Sequence, residues 1–88
     1  MRITKSHLEG KVRTVNTLLG HGENPAYSTP GAITLYMAYG GYGVHRYSEH
    51  GRGAVSDLMG GCQTARECGR FLDGMIATLY ELRDRDSR

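Results

Sequence analysis

The sequence has no tryptophan and a single phenylalanine, and only 39% of its residues are hydrophobic. For an 88-residue chain this leaves little from which to build a core. Such a length makes one domain, here 1–88, near the lower end of what folds unaided. The core must rest on a few aliphatic and methionine side chains, and an oligomer interface is the expected supplement. Long apolar runs are missing too. The opening MRITKSHLEGK holds no stretch that could serve as a signal peptide, and no segment approaches the ~20 apolar residues of a membrane span. The expectation is a soluble, cytoplasmic protein that makes no membrane contact.

A strong charge of one sign is also absent. Eleven basic and nine acidic residues leave a net +2, too mild to demand a polyanionic partner. Most of the excess lies near the start, in Arg2, Lys5, Lys11 and Arg13 against Glu9. Cysteine is scarce. Cys62 and Cys68, in or beside one helix, point in different directions, which suits the Cβ separation of a disulfide poorly; reduced thiols are expected. With His21, His45 and His50 they form no recognised zinc spacing, neither CxxC nor HxxxH. Cys68 reads instead as a small core residue. No metal and no cofactor is expected. Gly40-Gly41-x-Gly43 and Gly51-x-Gly53 lack the strand–loop–helix setting and the lysine of a phosphate loop. His45 or His50 with Glu49 and Asp57 can be assembled on paper into a catalytic set, as in most sequences of this length. A chain this small encloses little pocket, and an enzyme is not expected.

What is present is periodic. Ile3, Leu8, Val12, Val15 and Leu19 recur at helical spacing, with Thr4 as N-cap, an Ile3–Leu8 staple across it and Gly20 at the end. A second helix opens on the capping box Thr64-Ala65-Arg66-Glu67 and continues through Cys68, Phe71, Leu72, Met75, Leu79 and Leu82. Its tail, about 84–88, reads as polar and frayed. Between the helices, GAITLYMAYGGYGVHRY reads as a β-hairpin. A two-residue turn at Gly40-Gly41 sets Tyr39 opposite Tyr42, Met37 opposite Val44 and Tyr36 opposite His45. Ile33, Leu35, Met37, Tyr39, Tyr42 and Val44 then share a core face, and Thr34, Tyr36, Ala38, Gly43, His45 and Tyr47 the other. The island Val55, Leu58 and Met59 in the following glycine-rich loop is expected to fold over one end of the core.

The expected fold is α+β, a two-layer helix–β-hairpin–helix (αββα) with both helices on one face of an antiparallel sheet. Ala26–Thr29 is a candidate short third strand. The core is expected to hold Leu8, Val12, Val15, Leu19, Ile33, Leu35, Met37, Val44, Phe71, Leu72, Met75 and Leu79. Unless Ala26–Thr29 or the Val55 segment covers an edge, two strand edges are left unpaired. A homodimer follows, through a strand edge giving a four-stranded sheet, or through the glycine-notched last helix.

The second sheet face is the candidate binding surface. Tyr36, His45 and Tyr47 lie on it, with Arg46 on the opposite face or at the edge and Arg52 in the loop beyond. Tyr and Arg are enriched at protein hot spots. The same side chains can stack nucleic-acid bases while Lys5, Lys11, Arg13, Arg46 and Arg52 meet phosphates. Plain cross-strand packing within the hairpin is the functionless alternative.

The run from Ala38 to Asp57 carries a resemblance. An apolar strand, Ala38-Tyr39-Gly40-Gly41, then His45-Arg46, a glycine-rich loop, Val55-Ser56-Asp57 and a final amphipathic helix resemble a widespread family of small proteins of tailed bacteriophages and prophages that has no assigned activity. The likeness covers about Thr14 to Ile76. The loop Glu49-His50-Gly51-Arg52-Gly53-Ala54 departs from the acidic-Gly-Gly-Gly form usual there. The resemblance implies a phage accessory protein in the cytoplasm of the bacterial host. Its expected action is to bind a host macromolecule, in host takeover or counter-defence, with a host protein as partner and nucleic acid as the alternative.

Overall fold

The computed structural model describes residues 3–26, 29–48 and 54–86. The fold is α+β: two helices packed together and, among the described residues, a three-stranded antiparallel sheet. The order is α1 (Lys5–Leu18), β1 (Ile33–Ala38), β2 (Gly41–Tyr47), β3 (Val55–Asp57) and α2 (Ala65–Asp86). In the sheet β2 lies between β1 and β3. α1 packs on α2 and β1, and α2 on β2.

Both helices begin where the capping chemistry places them. The hydroxyl of Thr4 accepts from the His7 backbone N–H, and His7 Nδ1 accepts from the Thr4 N–H, each at 3.3 Å. Histidine thus takes the part that Glu or Gln plays in the usual capping box. At α2 the usual pair is present: Glu67 N–H donates to the Thr64 hydroxyl at 3.1 Å, and Glu67 Oε1 accepts from the Thr64 backbone and hydroxyl. α1 ends in a Schellman arrangement, with Gly20 N–H on the Thr17 carbonyl and His21 N–H on the Asn16 carbonyl.

The hairpin turn falls one position earlier than the sequence indicates. Ala38 pairs with Gly41, Met37 with Tyr42, Leu35 with Val44 and Tyr36 with Gly43, so the turn is Tyr39-Gly40, both at positive φ (55° and 74°). Such a turn matches the twist of the flanking strands even though tyrosine is a poor occupant of its first position. Gly41 belongs to the strand for another reason. A Cβ there would lie 2.8 Å from the Gln63 carbonyl oxygen, because Tyr42 and Gln63 exchange two backbone hydrogen bonds at 2.8 Å. Moving the turn by one position moves each partner by two, so the strand side chains keep their faces, whereas Tyr39, expected on the core face, leaves the strand for the turn and is fully exposed.

The third strand is Val55–Asp57, paired with β2, not Ala26–Thr29. The Thr29 N–H donates to the Ala26 carbonyl at 3.1 Å, and Tyr27 and Ser28 of that candidate lie outside the described residues. Leu58 and Met59 pack against the core as expected, while Val55 is exposed. α2 also continues through the expected frayed tail to Asp86, with Arg85 bonded to Glu81 one turn back.

The core is smaller than the apolar pattern. Leu8, Val12, Val15, Ala32, Ile33, Val44, Cys68 and Leu72 are buried. Phe71, Met75, Leu79 and Leu35 are half-buried, and Leu19 and Met37 are exposed. The cause is length. Fourteen residues make α1 about 21 Å long and twenty-two make α2 about 33 Å, so the stripe on α2 outlasts its partner. An open groove of about 480 Å³ remains over Leu19, Phe71, Gly74, Met75 and Leu79.

One buried polar side chain joins the layers. Asn16, 2% exposed, donates from Nδ2 to the Ile33 carbonyl at 3.0 Å and accepts at Oδ1 from the Ile33 N–H at 2.8 Å. A side-chain amide here does the work of a neighbouring strand. Asn16→Ala leaves both Ile33 groups buried and unpaired, at ~1–3 kcal/mol each. Chemical denaturation is expected to show a loss of roughly 2–5 kcal/mol, larger than the few tenths usual for a surface substitution.

Candidate open sheet face

The helices cover the side of the sheet that carries Ile33, Leu35 and Val44. Among the described residues no helix packs on the other side. By alternation that side presents Thr34, Tyr36 and Ala38 from β1, Gly43, His45 and Tyr47 from β2, and Val55 and Asp57 from β3.

His45 is at the centre. It pairs with Thr34 on one side and Asp57 on the other. Tyr36 is diagonal to it, not opposite, since its partner is Gly43. That glycine has no side chain, and the space a Cβ would take is bordered by the Gly61 carbonyl and Cys62 Sγ. The phenol and imidazole stack closely, with centroids 4.4 Å apart and planes at 19°, at the short limit of favourable ring stacking. Tyr36 remains 44% exposed. Tyr47 pairs with Val55 at the far end of the same face, and Val55 is likewise exposed.

Asp57 adds a fixed negative charge. Its Oδ1 accepts from the Met59 N–H at 2.9 Å and the Gly60 N–H at 3.1 Å, an Asx turn that starts the return towards Gln63. These backbone donors, with Gly61 and the nearby His45, hold the carboxyl below its ordinary 3.8 despite some desolvation. Elsewhere, burial and then the neighbouring Cys62 raise the Cys68 thiol. Both cysteines are free, and among the described residues no group of three or more His, Cys, Asp or Glu is placed to hold a metal. No helix among them is long and apolar enough to cross a membrane.

Of the residues singled out from sequence, Tyr36, His45 and Tyr47 share this face. Arg46 does not. It pairs with Ile33 and Ser56 and has the parity of the helix side, where it is exposed. Arg52 lies outside the described residues. Val55 and Asp57 join the face unannounced, because three residues between glycine-rich segments are too few to show an alternation. The basic residues of α1 are not gathered here: Lys5 lies 3.7 Å from Glu9, and Lys11 is paired with Asp73 of α2. Comparison with protein-family models, with curated proteins and with solved structures finds no match to this chain.

The Asp57 shift has a definite sign. A carboxyl held low in the folded state stabilises it above the unfolded value near 3.8, and the effect fades as pH falls through the lower folded value. Asp57→Ala is therefore expected to melt below the wild type at pH 7. The gap should close progressively in melting curves taken below about pH 3.8.

Proposed function

We propose that the chain is a non-enzymatic binding protein whose open sheet face docks on another protein. The observation that carries this reading is the Tyr36–His45 stack beside the ionised Asp57, on a side of the sheet that no helix among the described residues covers. Stacked rings present a large, pre-ordered apolar surface with polar edges, and little side-chain entropy is left to lose on binding. Tyr47 and Val55 extend that surface. Asp57 gives it one charge, of the sign that receives an Arg or Lys from the partner.

The same charge bears on the nucleic-acid alternative. A carboxylate among the aromatic side chains repels phosphate, and Lys5 and Lys11 have acidic partners away from the face. Arg46 is on the helix side. These placements favour a protein partner. The resemblance to small phage proteins supplies the rest of the proposal: an accessory protein acting in a bacterial host, where it binds a host protein and alters its activity in takeover or counter-defence.

The test is affinity capture from bacterial lysate, followed by titration of the purified captured protein against wild type and a Tyr36→Ala/Tyr47→Ala double variant. Hot-spot aromatics contribute ~2 kcal/mol or more each, so the double variant is expected to bind at least about 100-fold more weakly. Equal affinity for both proteins rules the face out as the interface. Salt-dependent binding of single-stranded DNA or RNA, lost in the double variant, would transfer the face to the alternative.

A further inference from the structure

We propose that β1 is a pairing edge and that its occupant is a second copy of this chain, joined antiparallel through β1 about a two-fold axis. This inference is independent of the functional reading.

The two outer strands differ. β3 is three residues long, fully exposed and ends in the Asp57 charge, and such features blunt an edge. β1, Ile-Thr-Leu-Tyr-Met-Ala, has six residues and neither charge nor proline. Along an antiparallel ladder alternate residues turn their backbone groups inward and outward. Asn16 bonds both backbone groups of Ile33, which marks that residue as outward; Leu35 and Met37 are then outward as well. Asn16 closes the edge at Ile33 and goes no further. A groove of about 410 Å³ continues beside Leu35 and Met37, with Val12 and Arg13 of α1 across from them.

Only one register uses all four open groups. Leu35 of one chain opposite Met37 of the other, and the reverse, gives four interchain hydrogen bonds with Tyr36 facing Tyr36 on the axis. In this register Asn16 keeps the backbone groups of Ile33, and the second copy's strand turns away at Tyr39-Gly40 opposite that residue. The half-buried Leu35 meets the exposed Met37 on the helix side, an apolar cross-strand pair that covers one of the exposed large side chains. Charge agrees with self-pairing. Lys5, Glu9 and Arg13, one helical turn apart, also line the groove. The two-fold runs the partner's α1 in the opposite direction, so charges of both signs line each side of the seam. The product is a continuous six-stranded sheet with two Tyr36–His45 stacks side by side on its open face.

Light scattering with fixed-position cross-linking tests this. Wild type is expected at twice the 9.7 kDa chain mass at high micromolar concentration. Met37→Pro removes an outward N–H that no strand among the described residues uses, and is expected to keep its helical circular dichroism while falling to the monomer mass. In a Cys62→Ser background, Tyr36→Cys is expected to form an interchain disulfide under mild oxidation, because facing residues of a non-hydrogen-bonded pair have Cα atoms about 4.5 Å apart. Ala38→Cys, whose equivalents lie apart in this register, is expected not to. The proposal is overturned by a wild type that stays at 9.7 kDa, or by cross-linking of Ala38→Cys in preference to Tyr36→Cys. It is also overturned by a dimer that survives Met37→Pro and separates on Leu82→Glu, which puts the contact on α2.

Discussion

The pair of hydrogen bonds between the Asn16 side chain and the Ile33 backbone is the constraint on which the rest of the structure depends. Asn16 sits in the last turn of α1, and its own carbonyl accepts the His21 N–H that closes the helix. One residue therefore ends the helix and starts the sheet. With that joint in place, Leu8, Val12 and Val15 point at Ile33 and Val44, and Cys68 and Leu72 of α2 complete the cluster. A buried amide is costly unless fully satisfied; among the described residues no buried side-chain nitrogen or oxygen lacks a partner.

So small a core leaves surfaces unfinished. The apolar stripe of α2 continues past the end of α1, and the edge of β1 continues past the reach of Asn16. The first follows from an α1 of fourteen residues facing an α2 of twenty-two, the second from an Asn16 side chain that bonds Ile33 alone. The open sheet face is unfinished in a different way. Tyr36, diagonal to His45, stacks on its imidazole, so the aromatic surface is ordered before any partner arrives. The Asx turn at Asp57 does the same for the charge beside it.

Much of this was legible in the residues. Period-2 alternation sorts the strand side chains onto the correct faces even with the turn misplaced at Gly40-Gly41, because a two-residue slip in pairing preserves the faces; Tyr39, assigned to the core face, is the exception, lying exposed in the turn. The turn itself was not legible: a Gly-Gly pair outranks Tyr-Gly locally, and only contact with Gln63, distant in sequence, requires glycine at 41. Both capping threonines were legible, since their partners lie within one turn. Asn16 was not, being one polar residue on a helix whose tertiary contact has no periodicity. The overlong core list had the same origin. Periodicity reports which residues of α2 are apolar and says nothing of where α1 stops. On the candidate face, Tyr36, His45 and Tyr47 came from alternation, whereas Val55 and Asp57 depended on a strand too short to announce itself.

Hydrogen exchange of the β1 amides, followed by NMR across a dilution series, tests the role of Asn16 most directly. The account predicts that the Ile33 amide is protected to near the global opening free energy at every concentration, although it lies on an outer strand. The Leu35 and Met37 amides are predicted to exchange quickly in dilute protein and to slow as the chains pair. An Ile33 amide that exchanges as fast as those of Leu35 and Met37 in dilute protein would contradict it.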